Sequence, residues 1–192
     1  MIIKKIIDVC KKKKTFVLCE DENGVQWLSD GTAMFPLYGL PQFCEETIFR
    51  TFDIPEKQQN KMHFSHKPAL PSDFNFKDYF PGEKECARQF QLIAGASDTL
   101  PYNTTQGIKF IHSEHLLPLA DAPQLTICER VKEDGTLYFA AKSGFVLLAI
   151  ITPFDVITEE FTEQLRNFSL ACEKAFDNKR KQEIFSEQEK LF

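Results

Sequence analysis

Four glycines, each following an acidic or polar turn residue, cut two stretches of this chain into short runs rich in β-branched and aromatic residues. The pairs are Asn23-Gly24, Asp30-Gly31, Asp134-Gly135 and Ser143-Gly144. Such dipeptides supply the positive-φ positions that tight β-turns demand. The runs between them are too short for helices and read as strands: 15–19, 25–28 and 32–37 in the first half, 125–131, 137–141 and 145–151 in the second. Antiparallel meanders are the natural product of strands separated by turns this short.

A helix is predicted before each meander. In 2–12, Ile2, Ile3, Ile6, Ile7 and Cys10 recur at three- and four-residue steps, with Lys4, Lys5, Asp8 and Lys11 on the opposite face. Ser113 is placed to cap a short helix through residue 120, with Glu114 in its first turn. Each half then has a strand ending in Cys-Glu (Cys19-Glu20, Cys128-Glu129), an acidic Gly turn, a second strand, another Gly turn and an apolar strand. The turn glycines stand seven residues apart in the first half and nine in the second. This echo predicts two similar α-β-β-β lobes.

Between the meanders, 44–52 is expected as a short helix and 55–67 as a polar, mixed stretch. Segment 68–82 carries Pro68, Pro71, Pro81 and Gly82 and reads as a linker or long crossing loop. Phe74, Phe76, Tyr79 and Phe80 within it predict that it packs onto another surface. Further strands are expected at 90–94 and 107–111. From Thr158 a long helix is expected, its stripe formed by Phe161, Leu165, Phe168, Cys172 and Phe176. Beyond 176 the chain turns polar, and fraying or disorder is expected. The expected class is therefore α+β with antiparallel sheet, divided as 1–67, a linker at 68–106, a second lobe with its long helix at 107–176, and a polar tail at 177–192.

Composition narrows the function. The formal net charge is −5, which excludes a uniformly basic nucleic-acid-binding surface and leaves only local patches. The candidate patch is Lys4, Lys5, Lys11, Lys12, Lys13 and Lys14. Nineteen Phe residues predict cores built on aromatic packing. The lysines near residue 1 interrupt what an export signal needs as a continuous apolar core, and the run 145–151 is too short to span a bilayer. A cytoplasmic protein with no membrane partner is expected, its six cysteines (Cys10, Cys19, Cys44, Cys86, Cys128, Cys172) reduced and mostly buried.

Catalytic motifs do not emerge. The glycine patterns of phosphate-binding loops and the G-x-S-x-G elbow do not occur. Two His-x-x-His spacings, His63/His66 and His112/His115, would share a face on a helix, but neither has a third ligand nearby in sequence. No metal and no cofactor is expected, and a small enzyme using His112, His115 or a cysteine is the weakest of three readings.

The first two readings come from resemblance. The plan of 1–40 and 107–153 resembles the lobes of DNA sliding clamps. Similar segments are Leu28-Ser29-Asp30-Gly31-Thr32 and Phe145-Val146-Leu147-Leu148-Ala149-Ile150-Ile151-Thr152-Pro153. That resemblance implies an oligomeric body with the N-terminal lysines facing DNA. The last pentapeptide, Gln188-Glu189-Lys190-Leu191-Phe192, resembles the bacterial clamp-binding motif, in which Gln precedes two residues and then Leu-Phe. It implies that Gln188, Leu191 and Phe192 dock onto a sliding clamp, with Gln188 at the pocket edge. Glu189 and Lys190 depart from the residues preferred there. The leading expectation is a non-enzymatic accessory factor of bacterial or phage DNA replication or repair.

Overall fold

The computed structural model describes residues 2–88, 99–155 and 157–189, with backbone alone from 181 onward. α1 (Ile3–Lys13) leads into β1 (Thr15–Glu20), β2 (Gln26–Ser29) and β3 (Ala33–Pro36). α2 (Glu45–Thr51) and α3 (Glu56–Gln59) precede β4 (His63–Lys67). After β5 (Lys84–Glu85) come β6 (Thr99–Thr104), β7 (Gly107–His112) and a 3-10 helix (Ser113–Leu119). β8 (Leu125–Val131), β9 (Leu137–Ser143) and β10 (Val146–Ile151) follow, then α4 (Glu159–Glu189). The class is α+β, as the turn spacing implies. Among the described residues no helix is long and apolar enough to cross a membrane.

Eight strands form one sheet in the order β4-β1-β2-β3-β10-β9-β8-β5, and β6 with β7 makes a separate hairpin. β1 and β4 run parallel, with Phe16 opposite Phe64. The two meanders meet at β3 and β10, where Met34 pairs with Ile150 and Ala33 with Ile151. The Thr152 amide extends that junction by donating to the Thr32 carbonyl at 2.8 Å. Read outward from this seam, each meander has the same order, and its preceding helix lies on the same face. α1 packs against the 3-10 helix, and the Ile2 amide donates to the Pro118 carbonyl at 2.8 Å.

Both faces of the central strands are covered, so β2 and β3 are buried at every position. One face carries the larger core. Ile6, Ile7 and Cys10 of α1, Ile48 and Phe49 of α2, and Leu100, Tyr102 and Ile111 of the hairpin close over Phe16, Leu28, Phe35 and Phe139. The opposite face presents Trp27, Met34, Tyr138, Leu147 and Ile150, and segment 68–82 covers it with Leu70, Phe74 and Phe76. Phe76 meets Trp27 edge-on at 4.9 Å and Phe74 meets Tyr138 at 5.1 Å. Phe74 and Phe76 of the proline-rich segment therefore serve as a lid on this face, whereas Tyr79, expected to pack with them, is 74% exposed.

A buried guanidinium holds that lid down. Arg130 on β8 donates to the carbonyls of Asn75, Lys77 and Asp78 and to Glu83, and sits 5.4 Å over the Phe80 ring. Lys142 on β9 also pairs with Glu83. Burial alone would raise the Glu83 carboxyl, but Lys142 and Arg130 together hold it below its usual range. Asp78 in turn accepts from the Leu147 amide at 2.8 Å.

Several expectations change. The lobes expected at 1–67 and 107–176 contribute to one continuous sheet, and segment 68–82 crosses its face. The chain clusters instead into Met1–Phe154 and Asp155–Phe192. The helix after Ser113 is 3-10, seven residues long with Pro118 inside it, because proline supplies no amide to an α-helical ladder. The polar stretch after 176 continues as helix to Glu189. Its Lys, Arg, Gln and Glu are good helix formers, and polarity without Gly or Pro gives the backbone no reason to stop. Residues 63–67, read as mixed, form edge strand β4. The strand expected at 90–94 lies outside the described residues.

Candidate functional site

α4 carries the arrangement that most resembles a binding surface. Thr158 starts it: its hydroxyl oxygen accepts from the Phe161 amide at 3.1 Å, and Glu159 and Glu160 occupy the first turn, where the helix dipole favours them. Thirty-one residues give a rod of about 45 Å. Phe161, Leu165, Phe168, Cys172 and Phe176 fall on one face by steps of four and three, as the sequence implies. Along that face Phe168 is 57% exposed and Phe176 63% exposed. Leu165 and Leu170 are exposed as well. Burying each large side chain is worth about 1.5–3 kcal/mol, so the stripe is a reservoir of binding free energy. Of the pentapeptide at 188–192, the helix includes Gln188 through its backbone, while Leu191 and Phe192 lie outside the described residues.

The candidate nucleic-acid residues sit on α1 and its C-cap. Lys4, Lys5, Lys12, Lys13 and Lys14 are exposed and Lys11 half-buried. Lys11, Lys12 and Lys13 form the last turn of the helix, where cations complement the dipole, and Lys14 ends it in the left-handed region at φ 56°. Lys12 and Lys13 both pair with Glu114 of the adjoining 3-10 helix. Burial would raise Glu114, but Lys12 first and Lys13 next hold it low. The lysines are thus partly neutralised in place, and the neighbouring helix adds an acid rather than extending a basic face.

Folding treats the two histidine pairs differently. His63 and His66 lie on strand β4, where an odd spacing points side chains to opposite faces. His112 and His115 have rings 5.7 Å apart, edge to face, and His112 stacks on Phe154 at 4.4 Å. Burial and the nearby Lys13 depress the His112 imidazole. His115 instead turns inward: its Nε2 donates to Asp30 Oδ2 at 2.9 Å, with both side chains essentially without exposed surface. Asp30 also accepts from the Thr32 hydroxyl and from the amides of Thr32 and Ala33. Burial alone would raise the Asp30 carboxyl, yet these partners hold it down at about 2. An acid paired with an imidazole is a catalytic part elsewhere, but this one is sealed from solvent. It ties the β2–β3 turn to the 3-10 helix. Sequence spacing could not reveal the pair, because its members are 85 residues apart.

All six cysteines are free thiols, and Cys10, Cys19, Cys86 and Cys128 are buried. Burial pushes the thiols up, Cys86 to about 12 and Cys10 further, so neither is a ready nucleophile. Exposed Cys44 is the exception, lowered by the Thr47 hydroxyl and amide at the start of α2. A cleft of about 500 Å³ lies between the β1–β2 turn and the lid, bounded by Glu20, Glu22, Leu70, Phe74 and Phe76. It contains neither a histidine nor a cysteine. Among the described residues no three His, Cys, Asp or Glu side chains are grouped to hold a metal ion. No protein-family model matches the chain, and neither a curated protein nor a solved structure is significantly similar to it.

Proposed function

We propose that this protein is a non-enzymatic interaction module of bacterial or phage DNA replication or repair, and that it docks a sliding clamp through α4 and the peptide at 188–192. The observation that supports this reading most is the stripe of exposed apolar side chains on α4, with Phe168 and Phe176 more than half in water. Short peptides gain affinity by placing one or two such anchors in complementary pockets, and a helix that delivers them pays less ordering entropy than a coil. In this role Leu191 and Phe192 are the anchors and Gln188 the polar contact at the rim. The direct test is capture of the full chain on an immobilised bacterial clamp. Removing Leu191 and Phe192 is expected to abolish capture, and Gln188→Ala to weaken it about tenfold. Capture that survives removal of both anchors, or no capture of the intact chain, defeats the reading.

A second reading draws on the two meanders arranged edge to edge with a helix before each. Here the body itself is clamp-like and assembles into a larger ring or dimer. Light scattering distinguishes it: a ring-sized oligomer favours it, and a chain that stays monomeric removes it.

A further inference from the structure

We propose that the pocket between the lid and the sheet at Ser29 binds a small monocarboxylate with an apolar body of about six carbons, held by Lys67 at the mouth and Ser29 within. The pocket measures about 140 Å³. An apolar cavity of about 150 Å³ accommodates a benzene ring, which sets the size of the body. The site uses no residue of α4 and stands apart from what that helix docks.

Its floor is one row of the sheet. Val17 pairs with Ser29, Ser29 with Met34 and Met34 with Ile150, so the pleat turns all four side chains to the same face. Pro71 and Phe74 of the lid close over them. Ser29 is the polar member of that row and is only 4% exposed. Its oxygen accepts from the Gly31 amide at 2.9 Å, and its own proton has no acceptor among the described residues. A buried hydroxyl with a donor to spare orients a ligand in an otherwise apolar pocket. Lys67 pairs with Cys19 across β4 and β1, one step along from Val17 on the same face. It is exposed at the pocket edge, and among the described residues it is the only charged side chain lining the pocket. Burial raises the Cys19 thiol while the Lys67 ammonium opposes the rise, so the charge felt at that wall is positive. Strand order therefore gives the pocket two ends. Lys67, Cys19 and Ser29 lie toward β4, and Met34 and Ile150 toward β10. A carboxylate suits the first end and a short hydrocarbon the second. A cation is repelled at the mouth, and a dianion such as phosphate needs more than one cation to offset its desolvation.

Ligand-observed NMR titration of the full chain with hexanoate is the test. Saturable binding with a dissociation constant of about 0.1–1 mM is expected, and at least about tenfold weaker binding of acetate, which lacks the hydrocarbon body. Lys67→Gln is expected to weaken hexanoate about fivefold and to leave the neutral probe hexanamide unchanged, because only the charge has gone. Ser29→Ala is expected to weaken hexanoate about three- to tenfold. Circular dichroism of each variant checks the fold, and since Lys67 is exposed, Lys67→Gln carries the test even should Ser29→Ala not fold. Three results overturn the proposal. They are no saturable hexanoate binding by the intact chain up to about 10 mM, acetate or inorganic phosphate binding as tightly as hexanoate, and hexanoate binding indifferent to Lys67→Gln.

Discussion

Asp30 has almost no exposed surface, and what keeps it charged is a set of donors drawn from two distant parts of the chain. His115 Nε2, the Thr32 hydroxyl and two backbone amides converge on it. Its carboxyl sits at about 2 against an ordinary 3.8. A depressed folded value means the stabilisation is complete above the unfolded value and disappears as pH falls through the folded one. Denaturation measured from pH 5 down to 2 is therefore expected to show about 2–3 kcal/mol of stability lost between roughly pH 4 and pH 2 from this group, and Asp30→Asn to remove that portion of the pH dependence. Taking away the imidazole leaves the carboxylate buried and short of its strongest partner. His115→Ala is expected to cost about 3–5 kcal/mol in chemical denaturation, and a loss below about 1 kcal/mol would rule out the lock. Little of this was legible in sequence. The spacing of His112 and His115 relates them only to each other, whereas the contact that matters joins His115 to Asp30, in a turn of the other half. Cysteine count was similarly uninformative. Cys44, lowered by Thr47 and fully at the surface, is expected to be alkylated first of the six, as followed by mass spectrometry, while Cys10 and Cys86 react only after unfolding.

Segment 68–82 shows what an element without regular hydrogen bonding needs in order to stay put. Its proline-rich sequence marks it as a crossing loop, and its aromatics mark it as packed, both readable from composition. The anchor was not readable, because Arg130 looks like any outward-facing strand residue until three carbonyls and Glu83 are seen around it. A lysine offers one ammonium where the guanidinium spans several acceptors in a plane. Arg130→Lys is therefore expected to loosen the lid. Trp27 is the single tryptophan and lies under Phe76, so its emission should shift to the red, and proteolysis should begin within 68–82. Unchanged emission and protease resistance would show that Phe74 and Phe76 hold the lid without the arginine. α4 is the opposite case. Its periodicity and cap are plain in the sequence, and the backbone followed them past the point where the apolar stripe ends, since helix propensity continues where amphipathicity does not.

The strands fall in sequence order within each meander, so their existence and turns could be read from glycine spacing. The way the meanders join could not, because strand pairing between distant segments depends on which edges remain unsatisfied after local folding. β10, the last strand of the sheet in sequence, lies at its centre beside β3. The clusters that bury Leu28, Ala33 and Phe35 on one face and Trp27 and Met34 on the other both include side chains from beyond residue 99. The first meander therefore lacks a closed core of its own, however self-contained its sequence looks. A fragment of residues 1–67 is expected to show no cooperative thermal transition, whereas a chain ending at Phe154 retains all strands of the sheet and is expected to melt cooperatively with its Trp27 emission intact. The long-range closure of β10 onto β3 also raises the sequence separation of native contacts, which favours slow folding. A cooperative transition in the 1–67 fragment would mean that the two halves are independent lobes, and that the shared sheet is a docking of finished units rather than the condition for either to fold.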